Sequence, residues 1–168
     1  MLKKLDQKLF LKIYAYTAAD KRLSSTAVFI TKISSLFFSI IYFSAGGWLF
    51  YNNRGYLKFY LIIPASVYLL VKIIPYIYNR KRPFVLFNKS NLVKQREDHS
   101  FPSTHSASSM IISLVIFNIN LPLGILMILM AVITGFSRIM VGVHYPSDVI
   151  ASCLTAGFIF LFGLNILL

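Results

Sequence analysis

Ser137-Arg138-Ile139-Met140-Val141-Gly142-Val143-His144-Tyr145-Pro146-Ser147-Asp148 separates two long apolar runs, Leu123 to about Met140 and Ser147 to Leu168. Apolar stretches near 20 residues form membrane-spanning helices, so this polar break marks a membrane surface. Working outward, a similar break at Phe101-Pro102-Ser103-Thr104-His105-Ser106 opens a run that ends near Asn118. Two earlier runs cover about Ser25 to Phe50 and Leu57 to Tyr78, the second containing Pro64 and Pro75. Proline kinks a helix, which membrane helices tolerate when neighbours compensate. The expected fold is all-α, an integral membrane helical bundle of five to six transmembrane helices.

Composition agrees. The chain is 57% hydrophobic and 13% charged over 168 residues, against about 25% charged in soluble domains. That length makes one domain, 1–168, with its chemistry confined to 72–148. Residues 1–22 mix Lys with Leu, Phe, Ile and Tyr at helical spacing, the pattern of an amphipathic helix lying in the interface. A cleaved signal peptide is the rival, but no small-residue cleavage site follows a clean apolar core. If residues 5–19 do span, six helices result.

The net charge of +12 points to anionic lipid head groups. No nucleic-acid partner is expected, because the charges flank spans and form no recognisable module. Cys153 is the one cysteine, so no disulfide framework or Cys/His zinc site can be assembled. No metal and no cofactor are expected.

The Arg82 loop and the His144 break are an even number of spans apart, and His105 opens the span between them. Three separated segments therefore share one membrane face. Pro102 suits a first helical turn, and the free N–H groups of that turn attract anions. Ser103 there suits donation to a phosphate oxygen and His105 proton delivery; a capped helix with a structural histidine is the plainer alternative. Asp148, four residues after His144, is placed to accept from one imidazole nitrogen and leave the other free to attack. The plainer alternative is a carboxylate at a helix N-terminus. Arg138 lies deep in apolar sequence, where charge is costly and marks function. Its planar fork, like that of Arg82, suits phosphate oxygens. Arg80 and Lys81 read as an ordinary juxtamembrane cluster, and Lys32 as a snorkelling side chain.

Taken together, Arg82-Pro83, Pro102-Ser103-Thr104-His105 and Ser137-Arg138-x-x-x-Gly142-x-His144-Tyr145-Pro146-x-Asp148 resemble the three signature motifs of the type-2 phosphatidic acid phosphatase superfamily. The resemblance implies a metal-independent membrane lipid phosphatase working through a phosphohistidine. It implies that His144 is the nucleophile, oriented by Asp148, and that His105 protonates the leaving oxygen and later activates water. Arg82, Ser103 and Arg138 would hold the phosphoryl oxygens, helped by backbone near Ser103 and Gly142. The family's first motif has Lys seven residues before the Arg. Here that position is Pro75, and Lys72, one turn earlier, is the candidate replacement, with Arg80 or Lys81 as alternatives.

Within the superfamily the chain looks most like small bacterial undecaprenyl-diphosphate phosphatases. Phosphatidylglycerophosphate, phosphatidate and lipid A phosphatases share the motifs, and a non-catalytic lipid-phosphate binder or transporter is the reading from another class. The expected setting is the bacterial cytoplasmic (inner) membrane, multi-pass, with the active site on the outer, periplasmic face. Charge argues otherwise, because the positive-inside rule would turn the basic catalytic end inward.

Overall fold

The structure is a computed structural model, and it describes residues 2–167. Seven helices follow in order: α1 (Leu2–Ala19), α2 (Lys21–Asn52), α3 (Arg54–Ile77), α4 (Pro83–Leu86), α5 (Thr104–Phe117), α6 (Leu121–Met140) and α7 (Pro146–Leu167). Four of them, α2, α3, α6 and α7, are long and apolar enough to cross a membrane, and α5 is a shorter apolar helix. The chain is an all-α membrane protein. Large side chains such as Phe43, Trp48, Leu154 and Phe158 stand exposed on its flanks, the inverse of a soluble surface and the dress of a lipid-facing one.

The helix ends follow local capping. Asp20 accepts from the backbone N–H groups of Arg22 and Leu23, so α2 starts four residues before the expected Ser25 and α1 stops at Ala19. Asn120 caps α6 in the same way, accepting from Leu123 N. One element lies outside the sequence expectation. Pro83 at the first helical position starts the four-residue α4 inside the polar loop.

The short α5 is the hub, packed on α2, α3, α6 and α7. Its buried face carries Ser106, Ala107, Ser109 and Ser113 beside Ile111 and Val115. Small residues let membrane helices approach closely. The hydroxyls cost little there, because Ser109 Oγ donates to Ser106 O and Ser113 Oγ to Ser109 O. At Gly135 of α6, an added Cβ would stand 2.7 Å from Val149 Cγ1 and 3.3 Å from Ser106 Oγ. The missing side chain at Gly135 lets α5, α6 and α7 approach closely at that level.

At one end of the bundle, α3 and α6 finish while α2, α5 and α7 begin. The loop 78–103 folds over this end. Ser100 N donates to Arg80 O and Leu92 N to Val141 O, so the loop is tied both to itself and to the α6–α7 turn. Helix α1 lies against α2, α6 and α7 at the same end. Phe10, fully buried, stacks on Phe87 and meets Tyr145 edge-on.

Candidate active site

A cavity of about 330 Å³ opens at this end of the bundle. Its walls include Lys72 and Pro75 from α3, Arg82, Gln95 and Asp98 from the loop, His105 from α5, Arg138 from α6 and His144 from the α6–α7 turn. Three segments distant in sequence thus face one volume, and all three histidines, His99, His105 and His144, border it.

Gly142 makes the α6–α7 turn possible. Its φ of +90° lies where other residues are strained, and a Cβ would press on the Tyr14 ring at 3.1 Å. Two residues later, His144 is buried and held at both ring nitrogens: its Nδ1 lies 2.7 Å from the Ser100 carbonyl oxygen. A carbonyl only accepts, so Nδ1 carries the proton and Nε2 keeps a lone pair. Nε2 in turn lies 3.3 Å from Arg82 Nη1. Burial, then the charges of Arg138 and Arg82, hold the His144 imidazole well below its usual range. It is neutral at ordinary pH, the form that can attack phosphorus.

The cations are arranged around that ring. Arg82 is buried, with Nη1 donating to Val143 O at 3.1 Å and Nε to Asp98 Oδ1 at 2.8 Å. Arg138 is buried too; Nη2 donates to Gln95 Oε1 at 3.0 Å, while Nε has no hydrogen-bond partner among the described residues. A buried, unused guanidinium donor beside a cavity is expensive unless a ligand accepts from it. Lys72 reaches the same wall, its ammonium 5.5 Å from the centroid of the Tyr68 ring. The arrangement can hold a tetrahedral, doubly charged oxyanion between forks, with one neutral imidazole at its face and a second nearby.

Three expected placements differ. Asp148 Oδ2 is 3.6 Å from His144 Nδ1, longer than a hydrogen bond. Asp148 instead accepts from Tyr145 N at 2.9 Å and from Arg80 Nη1 at 2.6 Å, and Ser100 O has taken the place beside the imidazole. Gly142 is not among the residues lining the cavity, and its N–H donates to Ile139 O; the turn needs its φ. Ser103 is fully buried as the α5 cap, accepting from Ser106 N at 3.4 Å and Ser106 Oγ at 2.9 Å. Its neighbours Pro102 and Thr104 line the cavity, and its own hydroxyl proton is the one part left to donate.

Arg80 departs furthest from expectation. It is no solvated juxtamembrane charge: it bridges Asp6 and Asp148 and lies over the Tyr145 ring at 3.8 Å. A lone Arg in a basic run gives no sign of this, since both carboxylate partners are more than 60 residues away in sequence. Gln95, which engages Arg138, and the Ser100 carbonyl were equally silent, one for lack of a motif and the other because backbone has none.

The chain is similar to known proteins in both sequence and fold. A family model described as PAP2 superfamily matches residues 56–167. The chain is 31% identical over 161 residues to undecaprenyl-diphosphatase BcrC of Bacillus subtilis (strain 168), spanning 93% of this chain and 82% of that protein. The crystal structure of Aquifex aeolicus LpxE superposes with a TM-score of 0.76 at 25% identity, over 94% of this chain and 93% of LpxE. A PAP2-type transmembrane phosphatidylglycerolphosphate phosphatase from Bacillus subtilis gives a TM-score of 0.80 at 22% identity, over 98% and 85%, a likeness of fold.

Proposed function

This chain belongs to the PAP2 superfamily and is a membrane-embedded phosphoric ester hydrolase, and on that premise we propose that it hydrolyses undecaprenyl diphosphate to undecaprenyl phosphate and inorganic phosphate through a phosphohistidine. The likeness to BcrC over most of both chains supports the substrate. The observation that carries the mechanism is His144 itself: protonated at Nδ1 toward Ser100 O, with the lone pair of Nε2 beside Arg82 in a cavity that His105 also borders.

In the first half-reaction, His144 Nε2 attacks the terminal phosphorus. A new N–P bond forms as the bond from phosphorus to the bridging oxygen breaks, and undecaprenyl phosphate leaves with that oxygen. His105 gives the departing oxygen a proton. Arg82, Arg138 and Lys72 hold the three non-bridging oxygens, and donors aimed where charge accumulates lower the barrier most. In the second half-reaction His105 takes a proton from water, the hydroxide attacks phosphorus, and the N–P bond breaks to free phosphate and restore His144.

The test uses purified protein in detergent with undecaprenyl diphosphate carrying a radiolabelled terminal phosphate. Acid-labile, base-stable label on the wild-type chain, more label on His105→Ala and none on folded His144→Ala are the expected results. Label retained on His144→Ala overturns the mechanism. A lipid diphosphate that binds and is never turned over would make the chain a binder. Phosphatidylglycerophosphate and phosphatidate assayed beside it test the choice of substrate, and a higher kcat/KM for either overturns that choice.

A further inference from the structure

We infer that Asp6, on the N-terminal helix, is a positioning residue for the reaction at His144, acting through Arg80 on the Tyr145–Asp148 turn. The inference rests on the proposal that His144 is the nucleophile. Its ground is a buried network whose members come from three remote parts of the chain.

Asp6 accepts from Arg80 Nη2 at 2.5 Å, from Ser147 N at 2.9 Å and from Ser147 Oγ at 2.6 Å. Arg80 Nη1 donates to Ser147 Oγ at 2.7 Å and to Asp148 Oδ1 at 2.6 Å. Asp148 Oδ2 then accepts from Tyr145 N, the amide next after His144. The guanidinium also lies over the Tyr145 ring, so it holds that residue by its ring while Asp148 holds its backbone. Burial draws the Arg80 pKa down, but Asp148 and Asp6 together more than reverse this and leave it raised. One fixed cation thus joins two carboxylates.

None of Asp6, Arg80, Ser147 or Asp148 lines the cavity that holds His144; Asp6, Arg80 and Ser147 instead border a separate cavity of about 560 Å³ on the α1 side, with Tyr145. The network therefore braces the turn from behind and does not touch substrate. Stability alone is a poor reason for it, because buried ion pairs roughly offset their own desolvation. Helix α1 is already docked by Phe10 in its aromatic nest and by Tyr14, whose hydroxyl donates to Ser90 O at 2.5 Å. What the charged links add is a defined position for the residue adjoining His144, and a small misplacement of a reacting group is costly.

The experiment compares steady-state turnover of undecaprenyl diphosphate by folded wild type, Asp6→Asn, Arg80→Lys and the double variant, with His144→Ala as reference. Asp6→Asn is expected to lower kcat about tenfold while KM stays within about twofold. The double variant should be no slower than Arg80→Lys within about twofold, because the two residues act in series. Wild-type kcat in Asp6→Asn, a loss confined to KM, or a double variant whose losses multiply would each overturn the inference. If Asp6→Asn does not fold, Arg80→Lys decides, since it keeps the charge and loses the fork; unchanged kcat there overturns it. An active His144→Ala would instead refute the nucleophile, a separate failure.

Discussion

His144 Nδ1 lies 2.7 Å from the carbonyl oxygen of Ser100 and 3.6 Å from Asp148 Oδ2. The tautomer is therefore set by backbone, and Asp148 braces the turn through Tyr145 N. Asp148→Asn should cut kcat about ten- to a hundredfold, in the range seen for outer partners of a reactive imidazole, and should leave measurable turnover. His144→Ala should leave none. Phosphate release by the two purified variants checks the contrast, and equal losses would restore Asp148 as the direct orienter.

Arg138 has a buried Nε with nothing to donate to among the described residues. Its removal would take away the proposed transition-state donor and break one side-chain hydrogen bond, to Gln95. Arg138→Ala should lower kcat about 10²- to 10³-fold while the melting temperature in detergent holds or rises, the usual sign of a residue kept for function at the expense of stability. A steep fall in melting temperature would mark Arg138 as structural.

Asp98 occupies the fork that Arg82 would turn to a phosphate, with Nε and Nη2 both 2.8 Å from Oδ1. Its side chain is 47% exposed, so the pair is of the weak, screened kind. Asp98→Asn should lower KM for the lipid diphosphate, and Ki for vanadate, by about two- to fivefold. A raised KM would show that Asp98 prepares Arg82 and does not compete for it.

The neutral His144 also links stability to pH. An unfolded imidazole titrates near ~6.5, whereas in the fold burial and the two guanidinium groups hold the value well below that. Below about pH 6.5 the unfolded chain takes up a proton that folded His144 does not, so this contribution is complete above that pH and declines as pH falls. Melting temperatures of wild type and His144→Gln, from about pH 8 to about pH 5, should show the wild type losing more on acidification. Parallel curves would contradict the shift.

The outer face is the proposed location of the active end. Positive-inside bias counts Lys and Arg near span ends, but here Arg82, Arg138 and Lys72 line the cavity, where an anionic substrate accounts for them. A single cysteine introduced at Lys89, with Cys153 replaced by Ser, should react with an impermeant maleimide added to intact cells. Labelling only after lysis would place the site inside.

Helices and histidines were legible from the sequence for a physical reason. Lipid forces backbone hydrogen bonds to close within each span, so apolar run lengths translate almost directly into α2, α3, α6 and α7, and the polar breaks must gather at their ends. His105, His144, Arg82 and Arg138 stood out because charge and imidazole are costly beside such runs. Lys72 was recoverable by helical spacing from Pro75. The rest depended on contacts without a local signature. Asp6 and Arg80 meet across 74 positions, Ser100 acts through its backbone, and the burial of Ser103 follows from how α5 is capped. Gly142 was visible as a necessary glycine, yet its purpose, a positive φ under Tyr14, belongs to the turn.

Helix α5 has 14 residues, so at 1.5 Å per residue it is about 21 Å long, well short of the ~30 Å hydrocarbon layer. Helix α6, packed beside it, has 20 residues, so α5 is about 9 Å shorter than its neighbour. Were the His105 end of α5 recessed by that much, a lipid anchored in its own leaflet would need only dip its head to reach it. Water-soluble phosphate esters, with no tail to hold them at that depth, would be poor customers at the same basin.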